Sequence, residues 1–173
     1  MSGLGTPIEV RPEASGDEET IFNLTQAAFR GVEFSDGTEP YIVNKLRADG
    51  DLTLSLVALY RQRIVGHIAI SPITITDHTR GWFGLGPVSI WPDMQGQGIG
   101  GRLIQRAIDD MRQKSAKGIV LLGSNEYYPR FGFNHEPQLR YPGPPPEYFQ
   151  CLALDGDLPS GIVTYAPAFG APA

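Results

Sequence analysis

The chain has 173 residues, 41% of them hydrophobic and 19% charged, with a formal net charge of −5 at pH 7. Such a length suits a single domain, here taken as residues 1–173, and the apolar content is enough for one core. The acidic balance supplies no basic field for nucleic acid or an anionic membrane, so neither is an expected partner.

The first predicted element is a short strand over residues 8–11, followed by a break at Pro12 to Gly16. A helix comes next: Asp17, Glu18 and Glu19 suit its first turn, and Ile21, Leu24 and Ala28 mark one face. Residues 31–39 form a polar, glycine-containing loop that carries Glu33 and Glu39, and Pro40 opens a second short helix ended by Gly50. Residues 52–60 and 64–70 are β-rich runs joined by Arg61-Gln62-Arg63 as a hairpin, residues 71–81 read as a link, and a third strand spans 82–90.

The most informative stretch is Gln95-Gly96-Gln97-Gly98-Ile99-Gly100-Gly101. Glycines let the backbone turn with positive φ and approach a ligand closely. A helix N-terminus behind them offers free N–H groups and partial positive charge to an anion. That helix is marked by Ile99, Leu103, Ile104, Ala107, Ile108 and Met111 at three- and four-residue spacing, with Gly118 as its stop and a buried strand over 119–122 beyond it. Gly96, Gly98 and Gly101 also satisfy a dinucleotide fingerprint, but Trp91 to Gln95 separate them from the preceding strand and no acid lies about 20 residues on. No Lys-Ser or Lys-Thr follows, which removes the P-loop.

Past residue 137, Pro137, Pro142, Pro144, Pro145 and Pro146 argue against regular structure. Two further strands, 148–154 and 161–165, are joined around Asp155-Gly156-Asp157. The lone Cys151 excludes an internal disulfide framework, and His67, His78 and His135 lack metal-ligand spacing, so no metal is expected. The N-terminus shows no signal-peptide pattern and no apolar run is long enough to span a bilayer, giving a cytoplasmic expectation.

With the glycine loop, Tyr128-Pro129-Arg130-Phe131-Gly132-Phe133 in correct order after it, and matching runs over 54–73 and 84–88, the chain resembles the GNAT superfamily of acetyl-CoA-dependent N-acetyltransferases, its small bacterial branch in particular. The resemblance weakens after about residue 137. It implies an α+β fold with a mixed, largely antiparallel sheet and helices on both faces, and acetyl-CoA as co-substrate. It also implies direct attack on the thioester by a primary amine of a small molecule or protein.

Gln97, Gly98, Gly100 and Gly101 would then offer amides to the pyrophosphate, with Gln95, Gly96 and Ile99 shaping the turn. The main chain of Val88, Ser89 and Ile90 would run beside the pantetheine arm. Asn125 either reaches that arm or caps the helix after it, and Arg102 and Arg106 either line a local basic pocket or are solvated helix surface. The first two helices and the 31–39 loop between them would roof the acceptor, and the extension over 137–173 either shapes that pocket or makes an oligomer contact, such as a homodimer, or simply extends the sheet.

Acetyl transfer needs an amine freed of its proton, a donor for the oxyanion and an acid for the departing thiolate. A tyrosine is protonated at neutral pH and serves as that acid. Tyr128 is the candidate, against the alternatives that it only packs or that Tyr127 takes the role. For the base, Glu33, His67, Glu126 and a water relay stay open, His67 being equally readable as a core histidine. A non-catalytic acyl-CoA sensor or scaffold is the competing function, and no G-x-S-x-G elbow supports a hydrolase.

Overall fold

The computed structural model describes residues 7–170. Its elements in chain order are β1 (Glu9–Pro12), α1 (Glu18–Phe29), α2 (Glu39–Asp49), β2 (Leu54–Tyr60), β3 (Arg63–Ile75), β4 (Trp82–Ile90), α3 (Ile99–Gln113), β5 (Gly118–Leu122), β6 (Leu139–Arg140), β7 (Phe149–Ala153) and β8 (Gly161–Tyr165), with three short 3-10 turns between them and a fourth after β8. Strands order as β1-β2-β3-β4-β5-β7, while β8 pairs with β3 and with β6. All these pairings are antiparallel except β4 with β5 and β6 with β8. The fold is α+β with a mixed sheet, as the sequence implies.

Side chains alternate between two cores because successive strand residues point to opposite faces. Leu54, Leu56 and Ala58 of β2 join Ile99, Leu103, Ile104, Ile108 and Met111 of α3 on one face. Val57 and Leu59 meet Ile21 and Leu24 of α1 and Val43 of α2 on the other. Each Leu, Ile or Met removed from water in these stripes contributes roughly 1.5–3 kcal/mol. Helices therefore cover both faces, as α1 and α2 on one side and α3 on the other.

Two glycines are explained by close approach. A side chain at Gly66 would collide with Ile90, Leu103 and Ile99, so this residue lets α3 sit down on β3. One at Gly118 would run into the Trp82 ring. Gly118 is thus the first residue of β5 and not a helix stop; α3 ends at Gln113, and the left-handed residue after it is Ser115, at φ 63°. Gly50 does close α2 in the left-handed region, its amide on the Arg47 and Leu46 carbonyls.

Several expected boundaries shift. β1 runs one residue later than expected, β2 starts at Leu54, and the β2-β3 hairpin turns on Arg61 and Gln62 alone, both at positive φ. The expected link from residue 71 is strand as far as Ile75, because Ile73, Thr74 and Ile75 pair with Tyr165, Thr164 and Val163 of β8. The proline-rich segment contains β6, since Leu139 and Arg140 fall between the prolines and pair with Gly161 and Ile162. β7 and β8 do not pair with each other: β7 lies along β5 and β8 along β3.

Candidate active site

The sheet opens beside β4. Along its β3 edge β4 is paired to the end, through Val88 with Ile68, Ser89 with His67 and Ile90 with Gly66. Along its other edge only Trp82, Phe83 and Gly84 pair with β5, against Gly118, Ile119 and Val120. The β5-β7 ladder meanwhile continues to Leu122 and Phe149, so β5 goes straight on while β4 leaves it. A bulge causes the departure. Ile68 faces Val88 but Ile70 faces Leu85, so Gly86 and Pro87 on β4 oppose the single Ala69 on β3, with Gly86 at φ 138°. Bulges bend a strand and end its pairing in this way. Backbone groups of residues 85–90 that point away from β3 consequently lack a strand partner, and the resemblance assigns pantetheine to this edge.

Immediately after β4 the chain makes a 3-10 turn, Pro92–Met94, and Gln95 Nε2 donates to the Ile90 carbonyl at 3.1 Å, tying the loop to the strand end. Gly96 and Gly98 sit at φ 76° and 82°, conformations that side chains rarely adopt. Gly98 is the N-cap of α3, and the Arg102 amide is the first of that helix to bond back, to the Gly98 carbonyl at 3.2 Å. Amides of residues 96–101 make no backbone bond within the described chain. This is the unsatisfied amide row that a helix start provides for an anion.

A cleft of about 630 Å³ lies over that row, lined by Ile90, Met94, Gln95, Gly96, Gly98, Ile99, Gly100, Gly101, Arg102, Gln105, Tyr127, Arg130 and Phe131. Gly100 and Gly101 lie near the Tyr127 hydroxyl, 3.9 and 3.6 Å from where their Cβ atoms would be. Of the expected cofactor residues, Val88, Ser89, Gln97 and Asn125 do not line this cleft. Ser89 is buried with its side chain on the α1-α2 face of the sheet, in register with His67. Asn125 is exposed, and the capping role falls to Ser124, whose Oγ accepts from the Glu126 and Tyr127 amides at 3.2 Å each.

Arg102 is in the cleft but Arg106 is not. Arg106 binds Asp110 at 3.0 Å and the Val10 carbonyl at 3.1 Å, fastening α3 to β1. The basic residue that sequence reasoning missed is Arg130. Its guanidinium lies 4.3 Å over the Tyr127 ring while Nε donates to the Tyr127 carbonyl at 2.8 Å, holding the charge at the cleft wall. An arginine inside an aromatic cluster next to the Gly-Phe element was the only available signal.

Tyr127 and Tyr128 diverge from one turn. Tyr127 looks over the glycine loop; Tyr128 packs edge-on against Tyr127 and Phe133 and covers Gly123, where a Cβ would overlap its ring. Burial, with Tyr127 beside it, pushes the Tyr128 hydroxyl up to about 12, so it keeps its proton at neutral pH. The turn is anchored from the C-terminal extension. The buried Gln150 of β7 donates through Nε2 to the Gly123 and Ser124 carbonyls at 3.1 and 3.2 Å.

The base candidates separate as sharply. Glu33 and Glu126 are exposed. His67 is fully buried, with Nε2 2.8 Å from Ser55 Oγ. Desolvation lowers its pKa to about 4, a drop that the nearby Glu13 opposes and Arg47 reinforces. Cys151 is buried in β7 and its thiol is pushed up to about 12 by burial and by Glu136, which makes it an unreactive core residue. Among the described residues no cluster of three or more His, Cys, Asp or Glu is arranged to hold a metal, and no helix is long and apolar enough to cross a membrane.

Comparison with known proteins agrees with this geometry. Residues 19–133 match the model of the acetyltransferase (GNAT) family. The uncharacterised N-acetyltransferase YhbS of Escherichia coli K12 is 31% identical over 134 residues, covering 75% of this chain and 80% of that protein. In structure, a GNAT family acetyltransferase from Brucella melitensis in complex with acetyl-CoA is 45% identical, covers 95% of this chain and 99% of its own, and superposes with a TM-score of 0.85. Escherichia coli YhbS in complex with CoA superposes at 0.87 with 27% identity, covering 99% and 96%. Sheet order, opened β4 edge, glycine loop and relatives converge: this chain belongs to the GNAT family of N-acetyltransferases.

Proposed function

We propose that the protein transfers the acetyl group of acetyl-CoA to a primary amine, on a small molecule or a protein, by direct attack in a ternary complex. The observation that carries this reading is the row of unbonded amides at residues 96–101, set where β4 parts from β5. A diphosphate on that row directs the rest of the co-substrate along the free edge of β4, toward the bulge at Gly86 and Pro87. Two structural relatives were solved in complex with acetyl-CoA and with CoA, which supports acetyl-CoA as the co-substrate. An intracellular location goes with this co-substrate.

In this reading Gly98, Gly100 and Gly101 give close access to the amides, and Arg102 and Arg130 add positive charge at the cleft wall. Val88 and Ile90 contribute main chain only, since both side chains pack toward the α3 core. Tyr128 donates its proton to the departing thiolate. A hydroxyl held near 12 is a proton donor and never a base at pH 7, which fits that assignment. The net charge of −5 favours a cationic acceptor. Mixing the protein with acetyl-CoA and a panel of primary amines, and following free thiol, tests the function. Release that depends on the amine is expected; binding of acetyl-CoA without release from any amine contradicts it in favour of a sensor.

A further inference from the structure

Downstream of the residues that match the family, the proline-rich extension builds a pocket that co-substrate binding leaves unused. This cleft of about 230 Å³ is lined by His135, Arg140, Tyr141, Pro142, Pro144 and Phe149, among others. Its whole lining lies past residue 133, where the family match ends. Tyr141 stacks on Phe149 with ring centroids 5.7 Å apart and meets Tyr165 edge-on at 5.0 Å. His135 Nδ1 donates to the Phe149 carbonyl at 3.2 Å, which fixes the imidazole beside those rings. Pro142, Pro144 and Pro146 have φ locked by their own rings, so their stretch of the wall costs little to order when a ligand enters.

Strand register connects this pocket with the opening beside β4. Phe149 opposes Leu122 and Cys151 opposes Val120 in the β5-β7 ladder, so these four side chains share one face of the sheet. That face is the one away from α3, because Ile119 and Leu121 supply the α3 core. Val120 in turn pairs with Gly84 of β4, and the same register carried two residues on sets Leu122 level with Gly86, at the bulge where β4 departs. Leu122 is 40% exposed while its neighbour Leu121 is 1% exposed, so solvent reaches the step between pocket and opening. The glycine loop and its cleft lie at the start of α3. The pocket thus meets the opening from the opposite face, one to two strand spacings away, roughly 5–10 Å.

We propose that this pocket holds an aromatic ring of the acceptor, whose primary amine reaches the opened edge of β4 past Leu122 on a flexible linker. The inference rests on the N-acetyltransferase reading and names its substrate class, a small primary amine that carries one ring. The size fits, since an apolar cavity of about 150 Å³ is enough for benzene. Tyr141 and Phe149 offer the ring stacked or edge-on contact. Arg140 in the lining disfavours a second positive charge on the ring itself. The pocket binds and orients; it supplies neither acid nor base. Because its residues come from the extension and not from the matched segment, it sets which amine this chain takes and leaves the grip on the co-substrate to the glycine loop.

Two experiments test it. In the first, 4-phenylbutylamine is added to wild-type protein saturated with CoA and backbone amide spectra are followed. Shifts should concentrate at residues 135, 139–141, 143 and 149 and at Leu122; shifts confined to other regions, or none at millimolar amine, overturn the proposal without an assay of turnover. In the second, thiol release from acetyl-CoA gives kcat/KM for 4-phenylbutylamine and for n-butylamine, which shares the linker and lacks the ring. Burial of one phenyl ring sets the expected ratio at about 10 to 100 in favour of the ring. Tyr141→Ala should bring that ratio to within about threefold of one. Should Tyr141→Ala fail to fold, Leu122→Arg, at an exposed position, blocks the step from pocket to opening and should lower the ratio likewise. A wild-type ratio near one, or a ratio that neither variant changes, overturns the proposal. Wild-type protein that binds acetyl-CoA but acetylates no amine overturns the functional reading instead, while the first experiment still decides whether the ring seats in the pocket.

Discussion

The glycine loop and the polar chain through His67 are built in opposite ways. The loop takes its geometry from seven consecutive residues, 95–101, whose backbone angles and unpaired amides follow from local sequence. The chain through His67 takes one residue each from the β1-α1 connection, α2, β2, β3 and β4, and exists only because the strand registers bring Glu13, Arg47, Ser55, His67 and Ser89 together. The geometry of the glycine loop is thus a local property of this protein, and that of the buried polar chain a tertiary one. Perturbations should divide along that line.

Gly98→Val gives the largest expected effect. A Cβ at Gly98 meets nothing within 4 Å, so folding loses only the cost of positive φ, about 1–2 kcal/mol. The added side chain instead stands where the proposed function puts the diphosphate, and acetyl-CoA affinity should fall by more than about 100-fold, ~2.8 kcal/mol, in calorimetry. A melting curve that moved as far as the affinity would blur the division. Tyr128→Phe should act the other way, with turnover reduced about 100-fold and acetyl-CoA affinity within about threefold of wild type. Unchanged turnover would remove the acid role from Tyr128.

The buried histidine predicts a pH dependence of stability that the loop does not share. With the folded pKa of His67 depressed to about 4, the unfolded chain binds the extra proton first as pH falls. Stability from this group is complete above the unfolded value near 6.5 and declines between about 6.5 and 4, by roughly 3 kcal/mol at most. Denaturation of wild type and His67→Asn at pH 7.5 and 5 should show the larger acid loss in wild type; parallel losses contradict the assignment. The smallest effect belongs to Arg130→Ala. It removes a solvent-screened charge at the cleft wall, about 1 kcal/mol or fivefold in acetyl-CoA affinity, while leaving the loop intact.

The same division governs what could be read in advance. The amphipathic α3, the glycine turn before it and the Gly50 stop of α2 all depend on neighbours within a few residues, and all are present. Strand β3 runs past its expected end because its last three residues are paired by β8, almost a hundred residues later, which no local pattern near Ser71 encodes. β6 hides among prolines for the same reason. Arg106 looked as available as Arg102, yet helix rotation sends it to Asp110 and β1. Ser124, and not Asn125, caps the turn that carries Tyr127 and Tyr128, and Gln150 steadies that turn from β7. His67 was visible as a histidine in a strand, but Ser55 and Glu13 join it in a hydrogen-bonded chain only in three dimensions.

Backbone amide NMR during a titration of the wild-type protein with CoA tests the central claim most directly. The amides of residues 96–101 should show the largest shifts, with lesser ones along 85–90 and none around Glu13 and Arg47. Binding that leaves residues 96–101 unmoved, or no binding at all, would contradict the account.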